Sequence, residues 1–175
     1  MAKPNQKALV TVTIFAALAI LLFSSKTLRI MADYLYNIFL KFEGFSPVPY
    51  WDNKQWSWGY GTRVPNSVND PNINPGGTID RASALAQSYS HVEADKQHLE
   101  PMVTANLRPN QWAALLSFAY NLGAGNAEHL VPLINQYPSG STELESKWNQ
   151  YVYANHVVNP QLRERRAYEY SLFTS

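Results

Sequence analysis

Two carboxylates, Glu43 and Asp52, stand nine residues apart in Lys41-Phe-Glu-Gly-Phe-Ser-Pro-Val-Pro-Tyr-Trp-Asp-Asn-Lys-Gln-Trp-Ser-Trp-Gly-Tyr-Gly-Thr62. Cleaving a glycosidic bond needs one carboxyl to protonate the leaving oxygen and a second to manage the sugar cation or the attacking water. Glu43 ends an amphipathic run, at the negative end of the expected helix dipole and beside Phe42 and Phe45. That setting favours the protonated form a general acid requires. Asp52 lies in the polar turn Trp51-Asp52-Asn53-Lys54, where partial solvation keeps a carboxylate ionised. Ser57 and a Gly-x-Gly follow at once, and Thr62 is a rival hydroxyl for holding a water. Each carboxylate also has a plainer reading: Glu43 as a surface residue beside a helix-ending glycine, Asp52 as the side chain of an Asx turn.

The elements that must position these groups follow from periodicity and breakers. Ile30 to Phe42 reads as a helix with Met31, Leu35, Ile38, Phe39 and Phe42 on one face, stopped by Gly44, Pro47 and Pro49. Tyr50 to Thr62, rich in aromatics and turn residues, reads as a small β-hairpin or meander. Arg63 to Gly77 is crowded with Pro, Asn and Gly and reads as a loop, either a cleft wall or an ordinary surface excursion. Helices are then expected from an Asp80 cap to about Leu99, from Pro109 to Gly123, and around Leu130 to Gln136. Two more should follow: one after a capping box of Thr142 and Glu145, and one from Pro160 to about Phe173. The fold class expected is α+β, mostly helical with a small β-meander, as one domain over residues 27–175 behind an apolar segment, 1–26.

The segment with Glu43, Asp52 and Ser57 resembles the active-site segment of phage-type lysozymes, glycoside hydrolase family 24. There the pattern is Glu, Asp nine residues on, then Thr ahead of Gly-x-Gly. The resemblance implies that Glu43 is the acid, and that Asp52 and Ser57 position the water. This chain departs in having Ser for Thr, with the Asp-to-hydroxyl spacing one residue shorter than the usual six; Thr62 stands where many members have His. Leu107 to Gly123 is similar to the family's central helix, whose end lines the sugar cleft, which makes Tyr120 and Asn121 candidate substrate contacts. Tyrosine rings stack on sugars and amides bond hydroxyls, while core packing is the plainer role for Tyr120. Leu162 to Phe173 is similar to the family's terminal Leu-x-x-Arg-Arg-x-x-Glu-x-x-Leu-Phe, with Gln161 where a Gly usually precedes. Arg163, Arg165 and Arg166 there read either as a solvated basic face or, through Arg163, as a partner for Glu43.

The chain opens with a polar stretch carrying Lys3 and Lys7, then an uncharged apolar run from Ala8 to Phe23, closed by Ser24-Ser25-Lys26. A membrane span needs about 20 apolar residues, so this run is slightly short and diluted by Ala and Thr. It fits an uncleaved signal anchor, a cleaved signal peptide or a buried helix, in that order. An anchor joined to such an enzyme resembles the signal-anchor-release endolysins of phage, which implies a location at the host inner membrane and periplasm.

Composition narrows the partners. A net charge of +1 over 175 residues, with no basic stripe interleaved with aromatics, gives no footprint for nucleic acid. Zero cysteines remove disulfides, thiolate metal sites and a Cys nucleophile, and His91, His98, His129 and His156 lack zinc-type pairing. No phosphate loop, Gly-x-Ser-x-Gly elbow or His-Glu-x-x-His is present. The expected function is a muramidase hydrolysing the β-1,4 bond between N-acetylmuramic acid and N-acetylglucosamine in bacterial peptidoglycan, as a monomer and without metal or cofactor. The alternatives are a lytic transglycosylase, which can manage with one acid, and a silent wall-binding or virion module, which has no need of the carboxyl pair.

Overall fold

The computed structural model describes residues 26–154 and 156–175, and the apolar run at 8–23 lies outside them. Among the described residues no helix is long and apolar enough to cross a membrane. The described chain sorts into two compact units, one of residues 36–91, the other of 29–35 with 92–175.

Helix α1, Lys26–Phe42, starts earlier than its periodicity indicates and runs through both units. Met31, Leu35, Ile38 and Phe39 are buried, the i, i+4, i+7, i+8 spacing of one helical face. The helix stops where the N–H of Glu43 makes its last bond to the Phe39 carbonyl (3.1 Å) and Gly44 turns to a φ of 65°.

In the first unit the chain then builds a three-stranded antiparallel meander, β1 Ser46–Trp51, β2 Trp56–Gly59 and β3 Thr62–Arg63. β1 begins before the expected Tyr50, through Pro47 and Pro49. It is an edge strand, and its pairing with β2 shifts register between Ser46 and Tyr50, so neither proline has to donate to a ladder. Helix α2, Arg81–Leu99, follows the loop; Asp80 caps it, accepting from the Ser83 N–H (2.9 Å) and hydroxyl (2.7 Å). This unit buries Phe39 against Tyr60 (ring centroids 6.2 Å) and Tyr60 against Phe45 (5.5 Å).

The second unit is helical. It holds α3 Pro109–Leu122, α4 Ala124–Glu128, α5 Val131–Gln136, α6 Thr142–Trp148 and α7 Pro160–Thr174. A two-stranded hairpin, β4 Tyr153–Ala154 with β5 Val157–Val158, precedes α7. α4 and the hairpin are absent from the sequence reading. The cap of α6 is Ser141, whose hydroxyl accepts from the Leu144 N–H (3.1 Å), one residue before the expected Thr142. Asn159 caps α7 by accepting from the N–H groups of Gln161 and Leu162, so the Gln in place of Gly is accommodated. Trp148, wholly buried, meets Phe118 edge-on (5.5 Å) and Phe173 at a tilt (5.6 Å).

The basic residues of α7 are a correction. Arg165 and Arg166 are buried rather than solvated, because Glu169 is buried with them. Arg165 Nε lies 3.0 Å from Glu169 Oε1 and Arg166 Nε 3.0 Å from Oε2. The Ser117 hydroxyl (2.6 Å) and the Trp148 indole N–H (3.2 Å) donate to the same carboxylate. Buried charges persist only when paired and hydrogen-bonded in this way. Arg163 stays exposed.

Candidate active site

The turn between β1 and β2 is built around Asp52. Its N–H bonds the Gln55 carbonyl (3.1 Å), and Asn53 takes a positive φ of 74° to close the turn. The carboxylate folds back over that turn: Oδ1 accepts from the N–H groups of Lys54 (3.1 Å) and Gln55 (2.9 Å). Oδ2 accepts from the Ser57 hydroxyl at 2.6 Å. Burial works against the charged form, but the bonds from Ser57, Gln55 and Lys54 together outweigh it and hold the Asp52 carboxyl below its ordinary pKa. Asp52 is therefore an anchored carboxylate, ionised at neutral pH.

Strand alternation separates the two rival hydroxyls. Ser57 pairs with Tyr50 on β1, while Thr62 pairs with Trp58, the next residue along β2, and so belongs to the other face. Thr62 is buried and donates to Gln87 Oε1 on α2 (3.1 Å), which also accepts from the Trp58 indole (3.0 Å). Ser57 is the hydroxyl at Asp52, and the tight turn accounts for the short spacing. Ser57 is also fully buried, which ties it to the carboxylate rather than to solvent.

Glu43 is half-buried at the end of α1, with its Oε1 oxygen buried. Its Oε2 lies beside Gly61 in the turn after β2, 3.7 Å from where a Cβ would stand, and the Tyr50 hydroxyl is 3.9 Å from that same point. Gly61 holds a φ of 89° and bonds through its N–H to the Trp58 carbonyl (3.0 Å), a conformation and a closeness that suit glycine. The Tyr50 phenol is raised above its ordinary pKa by burial first, then by the charges of Asp52 and Glu43. In the first unit Tyr50 thus pairs in register with Ser57, and its phenol feels the charges of both Asp52 and Glu43. Sequence reasoning passed over that tyrosine, although its place two residues before Asp52 on a strand was a signal.

Tyr120 and Asn121, the other candidates, belong to the second unit, half-buried in the last turn of α3. Asn121 Oδ1 accepts from Arg166 Nη2 (2.9 Å), which fixes the amide and leaves its NH₂ group to donate. No group of three or more His, Cys, Asp or Glu side chains with metal-site geometry is present among the described residues.

The phage lysozyme family matches residues 40–169. In fold the chain is similar to the muramidase domain of SpmX from Asticaccaulis excentricus, with a TM-score of 0.67 and 22% identity over 86% of this chain and 98% of that one. It is similar to the endolysin of Escherichia coli O157:H7 phage FAHEc1, with a TM-score of 0.63 and 21% identity over 86% of this chain and 94% of that one. It is also similar to the active form of the P1 phage endolysin Lyz, with a TM-score of 0.63 and 14% identity over 93% of this chain and 92% of that one. No curated protein matches the sequence. The family match takes in both carboxylates and most of the chain, and on it the protein belongs to the phage lysozyme family, as a glycoside hydrolase that degrades peptidoglycan.

Proposed function

We propose that this chain is an endolysin muramidase that hydrolyses the β-1,4 bond between N-acetylmuramic acid and N-acetylglucosamine, and that it serves host-cell lysis. Glu43 gives its proton to the glycosidic oxygen as the bond from the anomeric carbon breaks. Asp52 takes a proton from the water whose oxygen bonds that carbon. The carrying observation is the contrast within one unit between an Asp52 held ionised by three hydrogen bonds and a Glu43 with one oxygen buried. Two carboxyls in unlike settings are what separate acid and base roles demand. Tyr120 and Asn121 supply a ring and an amide for the sugar. The apolar run at 8–23, preceded by Lys3 and Lys7, supports delivery across the host inner membrane to the periplasm as an anchored protein.

The test is incubation of the whole chain with purified peptidoglycan, followed by analysis of the new ends. Reducing N-acetylmuramic acid ends support hydrolysis, and anhydro ends assign a transglycosylase instead. An α anomer at the first turnover marks inversion, for which the carboxyls need roughly 6.5–9.5 Å between them.

A further inference from the structure

Arg81, the first residue of α2, is exposed, and its guanidinium is held in place without being neutralised. Its Cζ lies over the Phe45 ring, 4.3 Å from the centroid, and Nη1 donates to the Tyr60 hydroxyl at 3.5 Å. Phe45 in turn packs on Tyr60 (ring centroids 5.5 Å), which is buried, so the platform under the guanidinium is fixed. Asp80, the neighbouring carboxylate, is engaged elsewhere, with both oxygens accepting from Ser83 in the helix cap. Among the described residues no ion pair reaches Arg81.

The helix gives no electrostatic reason for a cation here. The first turn of α2 contains no acidic residue, and a positive charge there meets the positive end of the helix dipole. Arg63, the other arginine within residues 36–91, spends Nη2 on the Ser67 carbonyl (3.0 Å) and Asn69 Oδ1 (2.9 Å). Arg81 differs: stacking occupies the face of its guanidinium and leaves most of the N–H edge to donate. A planar fork of donors, already oriented, matches a carboxylate.

The platform belongs to the surroundings of the acid. Phe45 follows Glu43 by two residues, at most about 7 Å between Cα atoms. Tyr60 precedes Gly61, beside which Glu43 Oε2 lies. Each muramic acid of the wall carries a short peptide on its lactyl group, and that peptide bears carboxylates. An extended peptide covers about 3.3–3.6 Å per residue, so a stem of a few residues bridges from the acid to the ring and its cation.

We infer that Arg81 is a specificity-determining residue, which binds a carboxylate of the peptide stem while the glycan lies at Glu43. The inference rests on the hydrolytic reading above. Arg81 takes no part in the chemical step, so its effect falls on KM and not on kcat.

The experiment measures kcat and KM for the whole chain, Arg81→Gln and Arg81→Lys on three preparations of soluble peptidoglycan strands. One is native, one has its stem carboxylates converted to carboxamides with carbodiimide and ammonia, and one has its stems removed by an amidase. On native strands Arg81→Gln should raise KM about threefold to fivefold, the size of an exposed charge pair, with kcat kept. Arg81→Lys, which keeps the charge and loses the fork, should fall between. Amidation should raise the parent's KM by the same factor and leave that of Arg81→Gln unmoved. Parental KM in Arg81→Gln on native strands would overturn the inference, as would an equal rise on amidation in both enzymes. A defect of Arg81→Gln that persists on amidated strands would show a structural role instead. A preference for Arg81 that survives on stem-free strands would give the contact to the lactyl carboxylate and overturn the stem assignment. Each of these outcomes needs an active parent. A folded parent that releases no reducing ends from any preparation overturns the hydrolytic reading, and is thereby told apart.

Discussion

Ser57 donates its hydroxyl hydrogen to Asp52 across 2.6 Å from a position with no exposure to solvent. A bond so short, to an ionised acceptor, stabilises the carboxylate. It also explains how a chain with one residue fewer between Asp and hydroxyl still brings the two together: the turn at 52–55 closes on the Asp52 side chain itself. Replacing Ser57 with Ala should raise the Asp52 pKa. Because the folded carboxyl is depressed, its contribution to stability holds above the unfolded value and is lost as pH falls through the folded one; the variant gives up part of that contribution. In the proposed mechanism Asp52 acts ionised, so the acid limb of the kcat/KM profile should move to higher pH. An acid limb left in place would show that Ser57 does not set the base.

Gly59 holds the meander against α2. Its φ is 59°, and a Cβ there would stand 2.7 Å from the Ala84 Cβ. Gly59→Ala combines left-handed strain with overpacking, and should cost about 3 kcal/mol. Chemical denaturation is the measurement, with a shift in midpoint and no change in slope.

Gln87 accepts from both Trp58 and Thr62 through one oxygen. Gln87→Leu leaves both donors without that acceptor and should destabilise by about 2 kcal/mol. Wall lysis per folded molecule should survive, since neither donor faces Asp52.

Glu169 is the counter-charge for two buried arginines. Glu169→Gln keeps the shape but removes the charge, and should cost about 3–5 kcal/mol. The Arg166 bond to Asn121 should loosen with it, seen as a weaker KM beside the lower Tm.

Much of this was legible in the sequence where a single residue dictates local geometry. Asp80, Pro109 and Pro160 mark helix starts, the spacing of Met31, Leu35, Ile38 and Phe39 marks the buried face of α1, and Ser57 reaches Asp52 across the turn. What stayed hidden depends on neighbours distant in sequence. Prolines 47 and 49 read as breakers, yet an edge strand tolerates them. Arg165 and Arg166 read as surface charge, since burial needs Glu169, Ser117 and Trp148 assembled around them. The five-residue α4 is masked by Gly123 and Gly125.

The most direct test of the account is lysis of purified peptidoglycan by the whole chain and by Glu43→Gln, both shown to fold, with the released ends identified. The account predicts reducing N-acetylmuramic acid ends from the parent and a loss of about a hundredfold or more in the variant, as removal of a general acid entails. Undiminished lysis by Glu43→Gln, or anhydro ends from the parent, would contradict it.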